Sequence, residues 1–160
     1  MPDVKALYDE DFLAWSQEQA AALRGEARGG SNQKLDWENL AEEIESSGIS
    51  QKATLRSRMR RITHHLLKLE FSSATEPRRG WLEIIDDARS EIEDLLAMSP
   101  SLRTEVTHAL GLALRQGSRK AIRDLEKYGE IDPDLASRVR ATTYTVEQIV
   151  GDWFPPSRQS

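Results

Sequence analysis

The chain has 160 residues, 38% of them apolar and none of them cysteine. That length suits one folded domain with an adequate core, and the missing thiols exclude disulfides, thiolate catalysis and all-cysteine metal sites. With 22 Lys and Arg against 27 Asp and Glu the formal net charge is −5, which argues against a dedicated nucleic-acid binder.

No segment shows sustained period-two alternation, so every predicted element is a helix. The first starts at Asp9, an N-cap followed by Glu10 and Asp11, and carries Phe12, Trp15, Ala20 and Leu23 on one stripe. It ends at Gly25, in a linker over Gly25 to Gln33 that includes Ser31 and Asn32. The second opens on Asp36, with Leu35 and Leu40 placed as a hydrophobic staple. Trp37, Leu40, Ala41 and Ile44 follow at helical spacing, and Gly48 is its expected stop. The third is expected from Ser50 to about Phe71, with Leu55, Met59, Ile62, Leu66 and Leu69 as a heptad-like seam. After a break from Phe71 to Gly80, Trp81, Ile85, Ala88, Ile92 and Leu95 repeat that seam in a fourth helix. The fifth opens at Ser99-Pro100, an N-cap and N1 pair, and carries Leu102, Val106, Ala109, Leu110 and Ala113. Gly111 and Gly117 make its middle either a close-packing face or a weak point. A further break falls at Tyr128 to Pro133. Thr145-x-x-Gln148 reads as a capping box for a short last helix, followed by Trp153-Phe154-Pro155-Pro156. The expected fold is all-α: an antiparallel helical bundle of four to five main helices with a short C-terminal helix. It forms a single domain over 1–160 with an ordered core of about 7–155.

The charges alternate in blocks. Asp36, Glu38, Glu42, Glu43 and Glu45 precede a basic run of Lys52, Arg56, Arg58, Arg60, Arg61 and Lys68. The fourth helix is acidic and the fifth carries Arg115, Arg119, Lys120 and Arg123. The pattern suits acidic helices lying beside basic ones, which selects one neighbour arrangement over others. The competing reading makes the third helix a binding face for phosphates or an acidic partner, through Arg56, Arg58, Arg60 and Arg61. Aromatics for stacking on single strands are not interleaved with those arginines, so nucleic acid is the less favoured partner.

Chemical constellations are sparse. Glu105-x-x-His108 has the spacing of a helical metal-ligand pair, but a second copy is absent. His64 and His65 are neighbours in sequence and point about 100° apart on a helix. No serine sits in a nucleophile elbow, and Gly25 to Gly30 lacks the ending of a phosphate loop. The four tryptophans, Trp15, Trp37, Trp81 and Trp153, read as core anchors. Apolar runs are too short to cross a bilayer, and the opening Met1-Pro2-Asp3-Val4-Lys5 has no leader pattern, so a cytoplasmic protein without a membrane partner is expected.

Leu7-Tyr8-Asp9-Glu10-Asp11-Phe12 and the block Leu35-Asp36-Trp37-Glu38-Asn39-Leu40-Ala41-Glu42-Glu43-Ile44-Glu45 resemble the domain of unknown function 29 family of bacterial proteins. His65-Leu66-Leu67-Lys68, Trp81 with Ile85, Ser99-Pro100-Ser101-Leu102 and Thr145-Val146-Glu147-Gln148-Ile149 with Phe154-Pro155 extend the similarity over about residues 7 to 155. Leu69 departs from it, since many members carry an aromatic there. The resemblance implies a small all-helical protein and no activity. It singles out Trp37, Glu38, Asn39, Glu42 and His65, as packing and capping residues or as a site.

The leading expectation is therefore a non-enzymatic protein-interaction module, self-association included, with no cofactor. The first alternative is a metal- or carboxylate-dependent enzyme with a site between the second and third helices, built from Glu38, Glu42 and His65, or a second cluster at Glu105 and His108. The second is nucleic-acid or acidic-partner binding by the basic third helix.

Overall fold

Asp11 is where the N-terminal segment bends. Its extended backbone (φ −153°) ends one helix, and its carboxylate caps the next by accepting from Ala14 N. In the computed structural model, which describes residues 3–30 and 35–156, this gives α1 (Val4–Glu10) and α2 (Phe12–Arg28). There follow α3 (Trp37–Phe71), α4 (Arg78–Met98), a 3-10 turn (Pro100–Leu102), α5 (Arg103–Lys127), α6 (Pro133–Ala141) and α7 (Val146–Val150). Among the described residues there is no strand, and the expected all-α class is observed. Ser31, Asn32 and Gln33 of the expected first linker lie outside the described residues. Contacts group the chain into two compact units: Met1–Thr54 with Asp94–Glu105, and Leu55–Glu93 with Val106–Ser160.

In the first unit three boundaries differ from the sequence expectation. The cap is Asp11 rather than Asp9, because Asp11 also accepts hydrogen bonds from Ser101 N (2.8 Å) and Ser101 Oγ (2.9 Å); a tertiary partner decides between two neighbouring aspartates. Gly25 does not end α2, which runs on to Arg28. Gly48 does not end a helix either: α3 is continuous from Trp37 to Phe71, so the expected second and third helices are one. Gly48 is needed for approach. A Cβ there would overlap Ser16 Oγ and lie 2.9 Å from Leu13 Cδ1. Ser99, expected as a side-chain cap, makes no cap bond; its hydroxyl donates to Gln51 Oε1 (2.5 Å) and accepts from Leu13 N (3.0 Å).

In the second unit the seams pack as their spacing requires. Leu55, Met59, Ile62 and Leu66 of α3 are fully buried, as are Ile85 of α4 and Leu125 of α5. Arg58 pairs with Glu91 and the Lys68 ammonium lies 4.5 Å over the Trp81 ring, so numbers rise along α3 as they fall along α4 and the two are antiparallel. Arg60 donates to Gln116 (3.3 Å) and His64 meets Asp124 (2.7 Å), so α5 runs parallel to α3. Gly117 lets them close: a Cβ there would lie 2.7 Å from Thr63 Cβ, which resolves the expected ambiguity at that position in favour of close packing. Asp132 caps α6 with Pro133 in its first turn, and the capping box of α7 has both of its bonds. The buried Arg89 holds the C-terminal segment by donating to the carbonyls of Gln148 (2.8 Å), Ile149 (2.9 Å) and Trp153 (2.6 Å). Burial pulls its pKa below the usual arginine value.

Candidate functional site

The residues singled out by resemblance divide between the units. Trp37, Glu38, Asn39 and Glu42 occupy the first turns of α3, where Asp36 accepts from Asn39 N (3.3 Å) and from the Asn39 amide (2.5 Å). Glu38 and Glu42 are exposed; Arg24 lies 3.9 Å from Glu38 and donates to Glu45 at 2.7 Å. That bond holds the Glu45 carboxyl below its ordinary range. Asn39 is thus engaged by the Asp36 cap and Glu38 by Arg24. His65 belongs to the second unit, further along α3. His65 donates its Nδ1–H to the Arg61 carbonyl at 2.8 Å. Glu105 is buried and His108 exposed, and among the described residues no group of three or more metal-type ligands converges.

A polar cluster that the sequence reading missed lies in the second unit. His64, 5% exposed, donates Nε2–H to Asp124 Oδ2 at 2.7 Å, and Lys68 Nζ donates to the same oxygen at 3.1 Å. Burial, reinforced by the neighbouring His65, lowers the His64 pKa to about 4 against the opposing pull of Asp124, so the ring is neutral. His65 is lowered too, first by burial and then by Lys68 and Arg61, although its bond to the Arg61 carbonyl opposes this. Burial would raise Asp124, but the bonds from Lys68 and His64 outweigh it and hold the carboxylate ionised below its usual range. Asp124 and Lys68 also line a cavity of about 430 Å³ with Trp81, Tyr128 and Glu130. Glu130 Oε1 is occupied there by Ser72 Oγ (2.8 Å) and Ser73 N (3.0 Å). Each carboxylate thus has local partners, and the cluster reads as a satisfied buried network.

The basic residues behave differently. Within the basic run of α3, Arg58 pairs with Glu91 and Lys68 with Asp124. Because α5 returns parallel to α3, the two basic runs also become neighbours. Arg58, Arg60, Arg61 and Lys120 share a recess of about 230 Å³ whose remaining lining residue is Ser57. No carboxylate lines it. On α5 and α6, Arg115, Arg119, Arg123 and Arg140 line a larger cleft of about 630 Å³, again without a carboxylate. The i, i+4 spacing of Arg115, Arg119 and Arg123 was visible in sequence; Arg140, on a helix the sequence reading did not delimit, was not.

Comparison with known proteins adds family and fold. A family model described as a domain of unknown function, DUF29, matches residues 7–154. A crystal structure of an alpha-helical protein of unknown function from Rhodospirillum rubrum is similar at a TM-score of 0.70 and 21% identity, covering 92% of this chain and 98% of that one. No curated protein matches.

Proposed function

We propose a binding role for this chain, which belongs to the DUF29 family of domains of unknown function: a non-catalytic interaction protein whose second unit takes up an acidic segment of a protein partner. The observation that carries this is the recess where Arg60 and Arg61 of α3 meet Lys120 of α5, beside the Glu91-paired Arg58, with no carboxylate in its lining. Like charges brought together raise the energy of the free fold, and a polyanionic partner relieves it. A carboxylate-bearing segment suits the recess better than nucleic acid, since no aromatic lines it for base stacking. Another copy of the chain is one source of such a segment, because Glu42 and Glu43 are exposed on the first unit.

Titration of the full chain with a poly-glutamate peptide at low salt, followed by calorimetry, tests the reading. Binding should weaken at least tenfold in the R60A/R61A/K120A variant and fall with salt. Light scattering across a concentration series should show association that the same variant removes if the partner is a second copy. No affinity for the peptide, or tighter binding of a DNA duplex, overturns the proposal.

A further inference from the structure

The larger cleft, between α5 and α6, has a composition that an acidic peptide does not explain. We propose that it is a binding site for a small organic diphosphate, a ligand with a doubly charged phosphate head and an apolar body. The site is separate from the α3 recess and does not depend on the acidic-partner reading.

Three features point to the head. Arg115, Arg119 and Arg123 rise along one face of α5, and Arg140 comes in from α6. Among the described residues none of the four takes part in an ion pair, whereas Arg24, Arg58 and Arg79 each do. Guanidinium forks present paired N–H donors that match phosphate oxygens, and four positive charges exceed what a single carboxylate would neutralise. Thr143 adds a hydroxyl at the α6 side and Ser118 one at the α5 side, whereas the Thr142 hydroxyl is donated to the Arg138 carbonyl at 2.8 Å.

Two features point to the body. Leu114 and Ile122 line the same cleft. Gly111 lines it too, and a Cβ there would meet nothing nearer than the Arg115 guanidinium at 3.6 Å. Gly48 and Gly117 are required by close packing; Gly111 is not, yet a glycine in a helix interior costs about 1 kcal/mol relative to alanine. An open floor beneath the ligand accounts for it. The cleft's volume of about 630 Å³ lies within the ordinary range of small-molecule sites, about 300–1,000 Å³.

Inorganic pyrophosphate and geranyl diphosphate serve as probes, titrated into the full chain at low salt and followed by calorimetry and amide NMR. Both should bind, geranyl diphosphate at least tenfold more tightly, with amide shifts at Gly111, Thr142 and Thr143. R119A and R140A should each weaken both probes at least tenfold. G111V should weaken geranyl diphosphate alone, and R60A/R61A should leave both unchanged. Since the arginines are exposed, circular dichroism should show their variants folded; R119K and R140K, which keep the charge and lose the fork, should bind at intermediate strength. Absence of binding, equal affinity for the two probes, or binding indifferent to R119A and R140A overturns the proposal. Loss of poly-glutamate binding in R60A/R61A/K120A bears on the other site only.

Discussion

Three glycines in helix interiors have opposite reasons for being there, and alanine tells them apart. At Gly48 an added Cβ meets Ser16 Oγ and Leu13 Cδ1, and at Gly117 it meets Thr63. Both neighbours are buried, so the overpacking should cost about 1–3 kcal/mol. At Gly111 the same methyl is accommodated, and G111A should stabilise the fold by about 0.5–1 kcal/mol through the unfolded state. Urea denaturation of G48A, G117A and G111A checks the signs; three changes of the same sign would refute the distinction. His64 supplies a second residue-scale outcome. Its pKa is about 4 in the fold against about 6.5 in an unfolded chain, so between those values the unfolded state binds more protons. Stability should therefore be fully present above pH 6.5 and be lost as pH falls towards 4, by on the order of 3 kcal/mol. His65, also lowered, adds in the same direction. The depressed Asp124 contributes stability that is lost below the ordinary aspartate range, outside this window. H64Q, which still donates to Asp124, should flatten most of the slope in urea titrations between pH 4.5 and 7.

At the scale of elements, what the sequence disclosed and what it withheld follow one rule. Patterns repeated over several turns were legible: the Leu55-to-Leu69 seam of α3, the Trp81-to-Ile92 stripe of α4 and the capping box of α7 all lie where their spacing puts them. Single residues with two physical uses were not. Gly48 could stop a helix or admit a neighbour, and only Ser16, which is distant in sequence, decides. Asp9 and Asp11 could both cap α2, and Ser101 decides. Ser99 could cap the 3-10 turn, but Leu13 and Gln51 claim its hydroxyl. The candidate site divides the same way. The α3 arginines were legible as a run, whereas the α5–α6 cleft joins side chains from two helices that share no local pattern. Asp132-Pro133 was a readable helix start that went unread. The Asp11 junction is the sharpest test at this scale. Its carboxylate serves Ala14 N, Ser101 N and Ser101 Oγ, so D11A should cost about 2 kcal/mol, the upper end for a lost cap. D9A, in a helix with no cap role there, should stay within about 0.5 kcal/mol of the wild type. Equal effects of the two variants would return the junction to Asp9.

Across the whole molecule the charge arrangement works against the net sign. A chain of net charge −5 nevertheless gathers seven arginines and a lysine around two openings from which carboxylates are missing. Stability alone would not select this, because like charges at i, i+4 along a helix are unfavourable by about 0.2–0.5 kcal/mol per pair. On the proposed reading an anion offsets that cost when it binds, which would link occupancy to stability. Arg119 sits between Arg115 and Arg123, so R119E converts two repulsions into two attractions. In the free chain R119E should raise stability by about 1 kcal/mol, read as an increase in Tm of about 2–4 °C. The same variant should lose the stabilisation by pyrophosphate that the wild type shows in a thermal melt. A stability gain in the free protein together with loss of the ligand response is what a functional charge cluster requires; R119E that melts lower than the wild type without ligand would mean that the arginines serve the fold instead.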